Sequence, residues 1–147
     1  MSAIQAKPLR IGEVAEMLGT TPRTIRYYEE IGLLPSADDR EQGKHRLYTQ
    51  ADVDRVREIM RLRDLLGLTL DEVSALLEAE DARAELRQEI QQTEDPAEMK
   101  RILEQALGHI ANQLELVRHR RRELEQLESE LVGKRRAIHH RLGELER

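Results

Sequence analysis

Leu103, Ile110, Val117, Leu124, Leu131, Ile138 and Leu145 recur at every seventh position without a break. Apolar residues at that interval line one stripe of an α-helix, and a sustained stripe is one seam position of a coiled coil. At ~1.5 Å per residue, the span from Leu103 to Leu145 is about 63 Å if the helix is continuous. A rod of this kind cannot bury its own stripe, so it needs a partner helix. The second seam position holds Leu107 and Leu114, then Arg121, Glu128 and Arg135, before Leu142 restores it. The coil is therefore expected to be tight early and looser later. Dimerisation should rest on Leu103, Leu107, Ile110, Leu114, Val117, Leu124 and Leu131. Heptads alone suit parallel and antiparallel pairs equally.

The start of this helix is legible. Asp95 can cap it, Pro96 sits in its first turn, and Glu98 stands where it would close a capping box. Gly133, followed by Lys134-Arg135-Arg136, predicts a break, because glycine weakens a helix and a basic last turn suits its C-terminal end. The expected division is 96–132 as coiled-coil helix and 133–147 as a helical tail.

Composition narrows the rest. Charged residues make up 36% of the 147 and aromatics only 2%, with no Phe or Trp, so any core is built mainly from Leu, Ile and Val. The net charge of -5 gives no general attraction to nucleic acid, and a DNA-binding role would need a local basic patch. The absence of cysteine excludes disulfides, thiolate metal sites and iron–sulfur ligation. No stretch approaches the ~20 apolar residues that span a bilayer, and the N-terminus lacks the apolar core of a signal peptide. A cytoplasmic protein with no membrane partner is expected.

Residues 1–78 read as a separate head. Ile11, Val14, Ala15 and Leu18 line one helical face, and Gly19 ends that helix. Thr21 can cap a second helix that opens on Pro22 and runs to about Ile31. Leu33-Leu34-Pro35 and Arg46-Leu47-Tyr48 read as two short strands of a β-hairpin wing, joined by a polar segment containing Gly43. Thr49 with Asp52, and Thr69 with Glu72, each have the form of a capping box, so helices are expected over about 50–66 and 70–78. Residues 79–95, polar and without a strong apolar face, read as a connecting helix and linker.

Ala15, Gly19 and Ile25 stand at the spacing of a helix-turn-helix: a small residue at the close approach, a glycine for the tight turn, and a plug in the angle. With Ile25 inward, ~100° of rotation per residue turns Arg23 and Tyr27 outward, with Thr24 and Arg26 on the flanks. Arg can read guanine bidentately, Thr can meet a base edge, and the Tyr hydroxyl can hold a phosphate oxygen. The competing readings are a helical hairpin that never touches DNA, or an ordinary solvated face, since Glu29 and Glu30 share the helix. Tyr28, close to the Ile25 face, is expected in the core. Lys44, His45 and Arg46 cluster in the wing, while Arg55, Arg57, Arg61 and Arg63 alternate with acids in a pattern of helix-surface pairing.

The stretches Ile11-Gly12-Glu13-Val14-Ala15, Pro22-Arg23-Thr24-Ile25-Arg26-Tyr27-Tyr28-Glu29, Gly32-Leu33-Leu34-Pro35, Arg46-Leu47-Tyr48 and Leu66-Gly67-Leu68-Thr69-Leu70-Asp71-Glu72-Val73 together resemble the MerR family of regulators, over about residues 9–78. The resemblance implies a mainly α fold: a winged helix-turn-helix DNA-binding domain with a small β-hairpin wing, then a long coiled-coil dimerisation helix. It implies a bacterial, nucleoid-associated homodimer joined by an antiparallel coil. Such a dimer binds double-stranded promoter DNA and affects RNA polymerase indirectly, by bending and untwisting the promoter spacer. Carried over, Arg23, Thr24, Arg26 and Tyr27 match recognition-helix positions, Arg46 and Tyr48 the wing, and Arg63 an arginine near the DNA backbone; Thr21 at the start of the helix and Lys44 in the basic cluster of the wing join them as DNA-binding candidates.

Metal- and redox-sensing members use cysteines that this chain lacks. Of the remaining candidates, His109, His119, His139 and His140, the last two point about 100° apart on a helix and cannot easily chelate one ion. No metal and no cofactor are expected. Drug-sensing members have aromatic pockets, whereas no aromatic follows Tyr48 here, so the small-molecule effector stays unknown. Two other readings remain: an architectural, excisionase-like DNA-bending protein, and a coiled-coil interaction protein. No nucleophile, phosphate loop or paired carboxylate points to an enzyme.

Overall fold

The computed structural model describes residues 7–35 and 46–147. In chain order it contains β1 (Leu9–Arg10), α1 (Ile11–Leu18), α2 (Pro22–Glu30), β2 (Leu47–Tyr48), α3 (Gln50–Met60), α4 (Leu70–Gln92) and α5 (Pro96–Leu145). The fold is mainly helical. It divides into two compact units, one ending at Leu77 and the other beginning at Glu78.

In the first unit, α1 and α2 are joined by a tight turn at Gly19, whose φ of 69° and ψ of 33° are left-handed. That conformation drives an L-residue's Cβ towards the following carbonyl, at a cost of roughly 1–2 kcal/mol. Beyond the glycine and its two chain neighbours, no atom lies within 4 Å of where a Cβ would stand, so the penalty at this position comes from the local backbone alone. Gly19→Ala is expected to lower stability by about 1–2 kcal/mol and Gly19→Asn by less, as read from urea unfolding midpoints. Thr21 then caps α2, its hydroxyl accepting from the Thr24 N–H at 3.2 Å.

Val14, Ala15, Ile25 and Tyr28 are buried between these helices and the rest of the unit, whose core is completed by Leu33, Leu34, Tyr48, Val53, Val56, Ile59 and Val73. Each fully buried branched side chain contributes roughly 1.5–3 kcal/mol, which lets a core without Phe or Trp hold. The capping boxes read at Thr49 and Thr69 both form. Asp52 accepts from the Thr49 N–H at 2.9 Å, and Glu72 from the Thr69 N–H at 2.9 Å. The helix expected over 50–66 is α-helical only to Met60. It closes with one π-type turn, Arg61–Leu65, in which the Leu66 N–H reaches back to the Arg61 carbonyl at 3.1 Å.

The sheet corrects the expected hairpin. Leu47–Tyr48 is a strand, but its antiparallel partner is Leu9–Arg10, with Leu9 opposite Tyr48 and Arg10 opposite Leu47. Leu33 and Leu34 are instead both buried, and their N–H groups close the end of α2 by donating to the Tyr28 carbonyl at 2.9 and 3.3 Å. With both N–H groups spent on the Tyr28 carbonyl, the pair forms the turn that ends α2 and makes no ladder with Leu47–Tyr48. The segment with Gly43 lies outside the described residues.

In the second unit, the stretch read as a connector is the continuation of α4 and contributes core. Leu86 and Ile102 are buried, and with Ile90 and Ala106 they line a small apolar cavity of about 100 Å³. α5 opens as read on Asp95, which accepts from the Ala97 N–H at 3.1 Å. Glu98 does not close the box, because its carboxylate is bound to Arg101 one turn on. The expected break at Gly133 is absent, and α5 continues to Leu145. One glycine costs about 1 kcal/mol relative to alanine in a helix interior, too little to end a helix that propagates from both sides.

Candidate nucleic-acid interface

The back of α2 is anchored and its front is open. Ile25 and Tyr28 are fully buried, whereas Arg23, Arg26 and Tyr27 are exposed, Tyr27 at 42%. Placing Ile25 inward therefore orients the helix as the sequence reading required. Among the described residues, neither Arg23 nor Arg26 has an ion-pair partner, so both guanidinium forks are available to an outside acceptor. Tyr27 leans on Tyr28, with ring centroids 6.2 Å apart at 44°, which limits where its hydroxyl can go. Thr21 and Thr24 are engaged with each other, hydroxyl to hydroxyl at 3.0 Å, at the N-terminal end of the helix. Their first role is capping, and they shape the surface beside Arg23.

The other arginines separate into two kinds. Arg57 is paired with Asp54 at 3.3 Å and Arg61 with Glu58 at 2.7 Å. The hydrogen bond from Arg61 holds the Glu58 carboxyl below the usual carboxylate range, so the Arg61 guanidinium is already engaged within its own helix turn. Arg55 donates to the Leu33 carbonyl at 3.0 Å and ties α3 to the end of α2. Arg63 is exposed in the π-type turn with no ion pair among the described residues, unlike its neighbours.

Two of the residues assigned to the wing are not at the surface. Tyr48 is 1% exposed, and its hydroxyl donates to the Glu29 carboxylate. The Arg46 side chain is 7% exposed, between Glu29 and Asp52 at 3.2 Å each, with its guanidinium 4.7 Å from the Tyr48 ring centroid. Arg46 and Tyr48 are thus internal supports that lock β2 and α3 against α2. Lys44 lies outside the described residues, as does His45. Sequence reasoning missed Glu29 as the hub of this cluster. The available signal was its spacing, four residues after Ile25, which returns it to the buried face of the helix.

Comparison with known proteins identifies this arrangement. The model of the MerR HTH family of regulatory proteins matches residues 9–80. The HTH-type transcriptional regulator YfmP of Bacillus subtilis (strain 168) is 34% identical, over 85% of this chain and 89% of its own length. The chain belongs to the MerR family. A second MerR-type relative, the ZntR homolog of Haemophilus influenzae, is 32% identical over 85% of this chain and 84% of that one. A crystal structure of a putative MerR family transcriptional regulator from Listeria monocytogenes shares the fold, with a TM-score of 0.51 at 23% identity, covering 86% of this chain and 82% of that chain. Like other members of the MerR family, the protein is a DNA-binding transcriptional regulator, and α2 is its candidate recognition helix.

Among the described residues, no group of three or more His, Asp or Glu side chains is placed to hold a metal ion. No helix among them is long and apolar enough to cross a membrane.

Proposed function

We propose that the protein binds promoter DNA as a homodimer, laying α2 of each copy in the major groove, and regulates RNA polymerase indirectly by bending and untwisting the spacer between promoter elements. The observation that carries this reading is that Arg23 and Arg26 are exposed, with no ion-pair partner among the described residues, on a helix whose opposite face is locked to the core. An arginine that reads a base must arrive already oriented, and the packing of Ile25 and Tyr28 supplies that rigidity. Thr24 and Tyr27 complete the groove-facing set, Thr21 holds its N-terminal end, and Arg63 meets the phosphate backbone beside it. The dimer uses the apolar stripe of α5, on which Leu103, Leu107, Leu114, Val117, Leu124 and Leu131 are all substantially exposed in the single chain and Ile110 is half-buried. The protein acts by binding and not by catalysis, in the bacterial cytoplasm and in association with the nucleoid.

The test is a footprint of the purified protein on DNA upstream of its own gene. A two-fold symmetric protected region inside a long promoter spacer is expected. Arg23→Ala should weaken operator binding by roughly 10- to 100-fold, the worth of one bidentate base contact of ~1–3 kcal/mol, while affinity for unrelated DNA changes little. Arg63→Ala should instead weaken binding to all sequences alike and reduce the slope of log affinity against log salt by about one. A footprint without two-fold symmetry would overturn the proposal.

A further inference from the structure

Resting on the homodimer reading and on the antiparallel coil that membership of the MerR family implies, we infer the register: the two-fold axis relating the α5 helices passes between Arg122 and Glu123. The polar residues interrupting the second seam position fit the antiparallel orientation. In a parallel pair in register, Arg121, Glu128 and Arg135 would each face their own copy, placing three like-charge layers in one interface. An antiparallel pair avoids all three. Seam-to-seam packing then allows only registers one heptad apart.

With the axis between Arg122 and Glu123, Leu103 lies against the partner's Leu142, Leu107 against the partner's Ile138, and Leu114 against the partner's Leu131. Arg121 comes within one helical turn of the partner's Glu128. On one flank, Arg118 meets the partner's Glu125 and Glu104 meets the partner's His139. On the other, the stem of Arg120 covers the partner's Leu127. That contact accounts for Leu127, which is off the heptad stripe and yet half exposed in the single chain. Arg118 has no ion-pair partner among the described residues, so the dimer supplies one.

Sliding by one heptad in one direction sets Glu125 against the partner's Glu125, and in the other sets Arg118 against the partner's Arg118. Either slip replaces attraction with repulsion at the dyad, where the two contacts are closest to the axis. The uninterrupted run of α5 through Gly133 is required, because it carries Ile138 and Leu142 to the partner's first heptads.

The chain has no cysteine, so Asn112→Cys accepts a single spin label per copy on the outer face of α5. In the inferred register the two labels stand about 32 Å apart along the coil and roughly 40 Å through space, given 1.5 Å per residue and helix axes about 10 Å apart. A slip by one heptad moves that distance to about 48 or 32 Å, and a parallel pair brings it below about 25 Å. Pulsed electron paramagnetic resonance measures it. A dimer with any of these other distances overturns the register and leaves the homodimer standing, whereas a monomer at the concentration used overturns both. Independently, Arg118→Glu should weaken dimerisation about tenfold, and adding Glu125→Arg should restore most of it. A double variant no better than the single one removes the Arg118 contact from the interface.

Discussion

Leu114→Asp yields a monomer that still folds and no longer holds its operator. In the single chain Leu114 is 43% exposed, so an aspartate there costs the isolated helix little. In the coil the same position is an apolar layer, and burying an unpaired carboxylate on each side of the dyad is far more expensive than the leucine contact it replaces. Losing the dimer turns a two-site engagement into a one-site one, and operator affinity should fall by about 10²- to 10⁴-fold. Light scattering reads the mass, circular dichroism the retained helix, and a binding titration the loss. Asn112→Asp, on the outer face, should change none of the three. A Leu114→Asp protein that stayed dimeric would show that the seam has been misplaced. Ile138→Asp should also weaken the dimer, since α5 continues past Gly133 and brings Ile138 into the paired region.

Arg46→Ala is expected to cost about 3–5 kcal/mol of stability, the range for breaking a buried ion pair by removing one partner. Against a typical total of about 5–15 kcal/mol, that is enough to shift the unfolding midpoint substantially. The cause is what remains: the Glu29 side chain is 8% exposed and that of Asp52 13%, and both keep their charge in a shielded site after the guanidinium is gone. Arg46→Lys should recover only part of the loss, because one ammonium cannot span two carboxylates as a planar fork does. Combining Glu29→Gln with Arg46→Met should recover only the Glu29 share of the loss, because the Asp52 carboxylate still stands without the guanidinium. Urea unfolding measures all three variants. If Arg46→Ala unfolded at the wild-type midpoint and lost only DNA affinity, Arg46 would be the DNA contact that the family resemblance implied, and the internal role assigned to it would be wrong.

Arg46 and Tyr48 also show where sequence reasoning stopped. Their strand was legible from Leu47 and Tyr48, and the helix after it from the Thr49 and Asp52 pair, because a strand's composition and a cap are written within a few residues of each other. The direction in which Arg46 points depends on Glu29, seventeen positions earlier in the chain, and on Asp52 in the following helix. A basic cluster near a wing reads as an exposed grip until its acidic partners are seen on the inside. The outward orientation of Arg23 and Arg26 on α2 was legible for the complementary reason: burial of Ile25 alone determines which way Arg23 points, and that is a relation between near neighbours on one helix.

The same division holds for the whole chain. Helix starts at Pro22, Gln50 and Pro96, the left-handed turn at Gly19 and the apolar stripe of α5 all follow from local chemistry: capping groups, a missing Cβ and a repeat of seven. They could be read before any fold was known. The pairing of β2 with Leu9–Arg10, the burial of both Leu33 and Leu34, and the enclosure of Arg46 and Tyr48 arise only when distant segments compete for the same interior. Which segment wins depends on the packing of side chains far apart in sequence, and the free energy that decides it belongs to no local stretch of the chain.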